Sequence, residues 1–502
     1  MLPSLIQTLP SFIPTKSIHR HEITEYDRTM DDFLQEVRRL FQSPIDAKKM
    51  LDMSTSLQDE FKQKLHSSEI SMLPSYIYTL PTGEERGSYL ALDVGGSTFR
   101  VAFVELSGRG NEEESMRIVK MCTYKICNLV KALEGHQFFN WMADKIQETL
   151  EDPVVAEVHG TETLIMGLAW SFPIKTTSPG TGILLDMGKG FEAGKGVAGQ
   201  DIGSLIMLAC QKKKLNVRLD AIINDGQATL LTRAYQDDAT CFGLILGTGT
   251  NMSMVLPINA FGNDKFGERS QAWFDNAEHV LVNTEMSMFG KQIFPATKWD
   301  NILNKAHSLP DFQPLEYFIG GRYQGEIVRL ILVNAINSAG LFGGEYPARF
   351  LEPYSLEAST MAAFEDADDT PRLSRAAVVL SKQHPMACAP SLTDLIFVQK
   401  ICQLVSRRAA AYLATTAHAL WALRASSEAL PVQEAGHLSI GCNGSVIQHY
   451  PAFRELTQRH LDDLVELSGG RGQSIVLETA DEAAIFGAAV AAASIACAKD
   501  EP

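Results

Sequence analysis

The chain carries eight cysteines in 502 residues but no Cys-x-x-Cys pair. That removes the usual ligand spacing of zinc sites and the dithiol redox motif. Cys122, Cys127, Cys210, Cys241, Cys388, Cys402, Cys442 and Cys497 are expected to be buried free thiols in a reducing compartment. No run of about 18 apolar residues occurs, so no membrane-spanning helix is expected. The N-terminal MLPSLIQTLPSFIPTK is interrupted by Pro3, Pro10 and Pro14 and has no basic stretch ahead of it. It makes a poor secretory signal, and a cytoplasmic location is expected. Positive charge is scarce: 44 Lys and Arg face 60 Asp and Glu, for a net −16. This disfavours non-specific nucleic-acid binding, and any anionic ligand must be held by local groups against the overall field. There is also no G-x-x-x-x-G-K-[ST]. GFEAGKG (190–196) is one residue short between its glycines and lacks the hydroxyl. GKGVAG (194–199) fits G-x-G-x-x-G, but no strand leads into it, so a plain loop is expected.

What is present is a 45% hydrophobic composition in a chain long enough for two large cores. Residues 23–66 show helical spacing at Phe33, Val37, Leu40 and Phe41. LALDVGGSTFRVAFVEL (90–106) then runs strand, Gly/Ser/Thr turn, strand. The stretch 128–150 returns to helical spacing, LIMGLAWSFP (164–173) reads as a strand stopped by Pro173, and RLDAIIND (218–225) as a strand ending on an aspartate. TCFGLILGTGTNMSMVLP (240–257) repeats the layout of the first strand–turn–strand unit. Two α/β units of one plan, about 150 residues apart, imply a diverged duplication. A helix-rich region (326–428), a third glycine turn LSIGCNGSVI (438–447) and an Ala-rich buried helix near the C-terminus complete the chain.

Three turns are candidates for holding phosphate: Gly95-Gly96-Ser97-Thr98, Gly247-Thr248-Gly249-Thr250 and Gly441-Cys442-Asn443-Gly444-Ser445. Glycine at positive φ aims successive N–H groups into one concavity, and hydroxyls add donors. Hairpin punctuation is the plainer alternative. Asp93 ends an apolar strand, where a carboxylate is costly unless a cation or donors meet it. It reads either as a water-mediated partner of Mg²⁺ or as an Asx-turn cap. Asp225 reads either as a helix N-cap or as the acceptor of a proton from a sugar hydroxyl. The loops with Ser171, Lys189 and Glu285 carry the fixed donors and acceptors a polyol requires.

With these stretches in view, the chain resembles the eukaryotic hexokinase family from about residue 25 to 495. LDVGGSTFRV is similar to that family's first phosphate motif, GLAWSFP…GILLDMGKGF to its sugar signature, IINDGQATL to its catalytic-aspartate segment and LGTGTN to its second phosphate loop. VNTE and GGRYQGE (320–326) are similar to its two sugar-binding glutamate segments, and SIGCNGSV to its adenosine loop. The resemblance implies an α/β protein of the two-lobed actin-like, ribonuclease-H-like ATPase fold with a central cleft. The implied organisation is an N-terminal helical segment (1–75), a small lobe (76–223) to which a C-terminal helix (about 484–498) returns, and a large lobe (224–483). It implies catalysis by Asp225 with Lys189. It implies a sugar held by Ser171, Lys189, Asn224, Asp225, Asn251, Glu285 and Glu326. ATP with Mg²⁺ is expected at Asp93, Gly95, Gly96, Ser97, Thr98, Thr248, Gly249, Thr250, Gly441, Asn443, Gly444 and Ser445, with Asp93 reaching the metal through water.

Departures from the glucose-using pattern narrow the expectation. Gly188 and Gly226 stand where those members have threonines, Thr176 where they have glutamine, and Asn443 where they have aspartate. Lost side chains at 188 and 226 would leave room for an acetamido group. The Met-Gly-Lys-Gly-Phe form is similar to fungal N-acetylglucosamine kinases within the family. The expected activity is ATP-dependent phosphorylation of N-acetyl-D-glucosamine at O6, in amino-sugar metabolism. A glucose or hexose kinase of glycolysis, or a catalytically silent regulator, are the alternatives. The sequence does not specify an oligomeric state.

Overall fold

The computed structural model describes residues 26–500 apart from 111–114, 159–161, 186, 189, 368, 432–433, 435 and 471–473. Its strands in chain order are β1 (Leu73–Pro74), β2 (Arg86–Val94), β3 (Thr98–Ser107), β4 (Met116–Lys125), β5 (Leu164–Trp170), β6 (Ile174–Ser178), β7 (Thr181–Leu184), β8 (Val217–Ile223), β9 (Thr240–Leu246), β10 (Thr250–Pro257), β11 (His279–Asn283), β12 (His437–Asn443) and β13 (Ser474–Thr479).

Two sheets share one plan. The first runs β4-β3-β2-β5-β8, and the second runs β11-β10-β9-β12-β13 with the short β1 added beside β11. In each, three antiparallel strands are followed by two parallel ones. The glycine turns 95–97 and 247–249 occupy equivalent positions, between β2 and β3 in the first sheet and between β9 and β10 in the second. The duplication inferred from two similar stretches therefore extends to whole sheets.

Burial explains the strand sequences. In β2, Tyr89 to Val94 are all buried, so the strand is apolar on both faces rather than alternating. One face of the first sheet packs on the helix His136–Leu150 through Phe138, Phe139, Met142 and Ile146. The other face takes the C-terminal helix Ala483–Asp500. That helix is alanine-rich because it lies close to the sheet: a Cβ on Gly167 of β5 would collide with the Ala488 carbonyl. The same helix presses Gly487 onto Ala228 of the helix Asp225–Gln236, which shares its core through Leu230, Leu231 and Tyr235.

The helical spacing over 23–66 resolves, within the described residues, into two helices, Met30–Gln42 and Ala47–Ser67. The break lies at Ser43–Ile45, where Pro44 has no N–H to continue the ladder. Both helices pack in the core of the second sheet, with Phe33 6.1 Å from Trp299 and 6.0 Å from Phe397. None of the eight cysteines forms a disulfide; Cys210, Cys241, Cys402 and Cys442 are buried, but Cys127, Cys388 and Cys497 are exposed, so the burial expected of all eight holds for only part of the set. No helix among the described residues is long and apolar enough to cross a membrane.

Candidate active site

β8 ends at Ile223, and a helix begins at once. Asn224 is its N-cap, accepting the Gln227 N–H at 2.8 Å while its own N–H donates to Gln227 Oε1 at 3.1 Å. Asp225 is thus the first helical residue, not the strand end or the cap that the sequence suggested. Its carboxylate is spared capping duty, and Oδ1 accepts the Ser171 hydroxyl at 2.8 Å. Ser171 follows β5, and its N–H donates to the Val94 carbonyl at 3.2 Å, so the ends of β2 and β5 and the helix start converge.

Asp93, one residue before that Val94, is buried. Its Oδ2 accepts Nε and Nη2 of Arg100, both at 2.8 Å, from the register-paired position on β3. Arg100 Nη1 continues to Glu482 at 2.7 Å. Burial raises the Asp93 carboxyl above its ordinary range. The Arg100 charge opposes this, and the nearby Asp225 and Glu482 carboxylates add to it. The two candidate aspartates therefore sense each other's charge. Arg100 was missed in the sequence, although a cross-strand arginine is the expected answer to a buried aspartate.

The turn after β2 is closed by Gly95 N–H to the Thr98 carbonyl at 3.0 Å, and Ser97 accepts the Ile126 N–H at 2.8 Å. The second turn is braced from behind. Gly321 N–H donates to the Gly247 carbonyl at 2.9 Å, and Arg322 N–H to Thr248 at 3.4 Å. Thr250 N–H is taken by Glu316 Oε2 at 2.9 Å and the Thr250 hydroxyl by the Ile245 carbonyl at 3.0 Å. Thr250 thus spends both donors internally. The third turn lies beside the second, since a Cβ on Gly247 would sit 3.5 Å from Ser445 N and Oγ. Asn443 Nδ2 donates to the Ala480 carbonyl at 2.7 Å, and Gly441 packs on the Asp225 helix at Thr229 and Arg233. Positive φ, the expected use of these glycines, is found at Gly444 (+120°) but not at Gly95, Gly247, Gly249 or Gly441. Close approach is the reason for glycine at 249, where a Cβ would strike the Glu316 carboxylate.

β10 and β11 form the floor. Asn251 Nδ2 donates to Asn283 Oδ1 at 2.9 Å, and Asn283 Nδ2 donates to Glu285 Oε1 at 2.8 Å. Glu285 holds left-handed backbone angles (φ 49°, ψ 45°), which for a non-glycine residue costs on the order of 1–3 kcal/mol and marks functional sites. Burial raises its carboxyl above the ordinary range, partly offset by the Asn283 hydrogen bond. Asn283 was another residue missed, although it stands inside the quoted VNTE segment. Glu326 is buried in the helix Gly321–Ala339 and accepts three hydrogen bonds. Arg329 chelates it at 2.7 and 2.5 Å, and the Tyr354 N–H reaches Oε2 at 2.6 Å. Lys189 lies outside the described residues. Gly188 has φ +55° with nothing within 4 Å of a built Cβ. Gly226 instead faces Ser253, whose Oγ lies 2.8 Å from a built Cβ, so the expected gain of room at 226 is taken up by β10.

This geometry sets a carboxylate, glycine turns and a chain of polar side chains at strand ends, the place where open α/β sheets bind ligands. Comparison with known proteins agrees. Sequence models of the family described as Hexokinase match residues 34–235 and 241–494. The chain is 30% identical over 436 residues to Hexokinase-2 of Oryza sativa subsp. japonica, covering 85% of this chain and 83% of that protein. It is 27% identical over 515 residues to N-acetylglucosamine kinase 1 of Candida albicans, covering 95% and 97%. Among solved structures, a hexokinase from Schistosoma mansoni complexed with glucose matches with a TM-score of 0.75 at 25% identity, covering 93% of this chain and 100% of that one. The two like-built sheets are accordingly those of the two-lobed actin-like ATPase fold, and the chain belongs to the hexokinase family of sugar kinases.

Proposed function

We propose that this family member transfers the terminal phosphoryl group of ATP to O6 of N-acetyl-D-glucosamine. The observation that carries the substrate choice is that a Cβ built on Gly188, the residue before Lys189 in the sugar signature, meets nothing within 4 Å. The near full-length likeness to a protein named as an N-acetylglucosamine kinase supports it.

In this reading Asp225 takes the proton of the sugar's 6-hydroxyl as O6 bonds to the γ-phosphorus and the bond from that phosphorus to the ADP oxygen breaks. Ser171, donating to Oδ1, fixes the carboxylate so that Oδ2 is presented to the sugar. Lys189, Asn224, Asn251, Glu285 and Glu326 hold the remaining hydroxyls. Because the Asn224 carbonyl oxygen caps the helix, its Nδ2 is the group offered to the sugar. Glu326 serves through the acceptor site left on Oε1, beside Arg329. The turns 95–98 and 248–249 hold phosphates, with Thr250 bracing the second from within, and Gly441, Asn443, Gly444 and Ser445 border the adenosine.

The residues present fit Mg²⁺ as a companion of the nucleotide. Among the described residues no group of three or more His, Cys, Asp or Glu side chains is placed to ligate a metal directly. Asp93, with one oxygen committed to Arg100, suits a water-mediated contact to a largely hydrated ion. When bound, Mg²⁺ neutralises phosphate charge. The reading includes a small lobe over 76–223 with the helix about 484–498, a large lobe over 224–483, and closure of the cleft on the sugar, which excludes water.

A second reading, a glucose or general hexose kinase, is favoured by Gly226: its missing side chain opens no room, so the steric argument rests on Gly188 alone. A coupled ADP-release assay across glucose, fructose, mannose, glucosamine and N-acetylglucosamine decides. Preference for N-acetylglucosamine supports the proposal, preference for glucose supports the second reading, and no release with any sugar supports a silent regulator.

A further inference from the structure

Asn283 has no role in the scheme above, yet it is the middle member of an oriented chain. The Met252 N–H donates to Asn251 Oδ1 at 2.7 Å, which fixes that amide with Nδ2 outward. Asn251 Nδ2 can then only donate, and Asn283 Oδ1 receives it at 2.9 Å. This leaves Asn283 Nδ2 to donate to Glu285 Oε1 at 2.8 Å. Each amide orientation follows from the one before it, beginning at a backbone N–H that has no alternative polarity. The strand register makes the contact: Asn283 is paired with Ser253, so Asn251 is its diagonal neighbour on the same face of the sheet. The Glu285 N–H also leans on Asn283 Oδ1, at 3.4 Å. Thr284 pins the segment between them, its hydroxyl on the Met252 carbonyl at 2.6 Å and its oxygen accepting the Met286 N–H at 3.2 Å. On the far side, the Gly290 N–H is held by Glu60 at 3.0 Å. The left-handed backbone of Glu285 is thus imposed by bonds that converge on residues 283 and 284.

We propose that Asn283 is a positioning residue for the sugar, an amide that couples Asn251 to Glu285 so that both side chains meet the substrate hydroxyls as one unit. This rests on the reading of Asn251 and Glu285 as sugar-holding. Asn283 need not touch the sugar. It sets the direction in which the carboxylate and the neighbouring amide present their remaining acceptors and donors, and its loss lets each turn independently. Loss of a donor to a carboxylate typically lowers affinity by about tenfold or more.

The test uses the full chain and measures sugar binding without nucleotide, by tryptophan fluorescence titration with N-acetyl-D-glucosamine and with D-glucose. Asn251→Ala, Asn283→Ala and the double variant form a cycle, with kcat and the KM for ATP measured in parallel. Each single change is expected to raise the sugar Kd about tenfold, the double to add no more than about threefold to the worse single, and the KM for ATP to stay within about twofold. Additive losses in the double variant, or an Asn283→Ala sugar Kd within about twofold of native, overturn the proposal. Asn283→Asp has the same shape and keeps the acceptor for Asn251, but it sets a like charge against Glu285. It is expected to bind sugar at least as poorly as Asn283→Ala, and native affinity in this variant contradicts the proposal even if Asn283→Ala fails to fold. If the native protein binds neither sugar, the sugar reading of the site falls and takes this inference with it. Native binding with unaffected Asn283 variants defeats the inference alone.

Discussion

Ser171 Oγ and Asp225 Oδ1 lie 2.8 Å apart, and this one bond ties the end of a parallel strand to the first turn of the helix that follows β8. A serine hydroxyl carries one proton, so the bond selects which carboxylate oxygen is left for a substrate. Ser171→Ala is expected to lower kcat/KM by about tenfold to a hundredfold while the fold stays intact, the usual range for a hydrogen bond to a charged group. Steady-state kinetics with thermal unfolding of the same preparation check it; unchanged kcat/KM removes the orienting role.

Glu285 is held with its carboxyl above the ordinary range, burial being the main cause. A carboxyl raised on folding favours the native state at low pH, and that contribution is lost as pH rises through the folded value. Glu285→Gln removes the cost of burying the charge. The variant is expected to unfold about 1–2 °C higher than native near pH 8, with the gap closing toward pH 4–5, and to bind sugar more weakly. Differential scanning calorimetry across that range checks it; a gap that widens on acidification contradicts the assignment.

Glu326 and Arg329 form a buried pair, each 6% exposed at the side chain. Arg329→Met strands the carboxylate. The expected loss is about 3–5 kcal/mol of stability, far more than for a surface pair. Denaturant unfolding measures it, and a loss below about 1 kcal/mol would mean that Glu326 finds water or another partner.

Gly188 sits at φ +55° in open space. A Cβ at 188 meets nothing within 4 Å, but Gly188→Thr carries a backbone cost of about 1–2 kcal/mol. It is expected to reduce kcat/KM for N-acetylglucosamine more than for glucose. Equal losses would assign the whole effect to backbone strain and withdraw the steric argument for the acetamido group.

Much of this site was legible because its chemistry is local. A strand ending on aspartate, a Gly/Ser/Thr turn and a second strand are read from a dozen residues, and the repeated unit announced two sheets of one plan. What escaped the sequence depends on register or on distance along the chain. Arg100 faces Asp93 only because β2 and β3 pair in that register, and Arg329 and the Tyr354 N–H reach Glu326 from one helical turn and from a separate loop. Asn224 and Asp225 are neighbours competing for one cap, and the fold gave it to the asparagine. Gly226 looked like lost substrate-facing bulk, but Ser253 on β10, far along the chain, is what fills the space.

The central claim, that Asp225 takes the sugar's proton, is tested most directly by Asp225→Ala, measured for sugar affinity by fluorescence and for ADP release under saturating N-acetylglucosamine or glucose. The account predicts a sugar Kd within about fivefold of native and turnover lowered by about 10²–10⁴. Near-native turnover in this variant would contradict it.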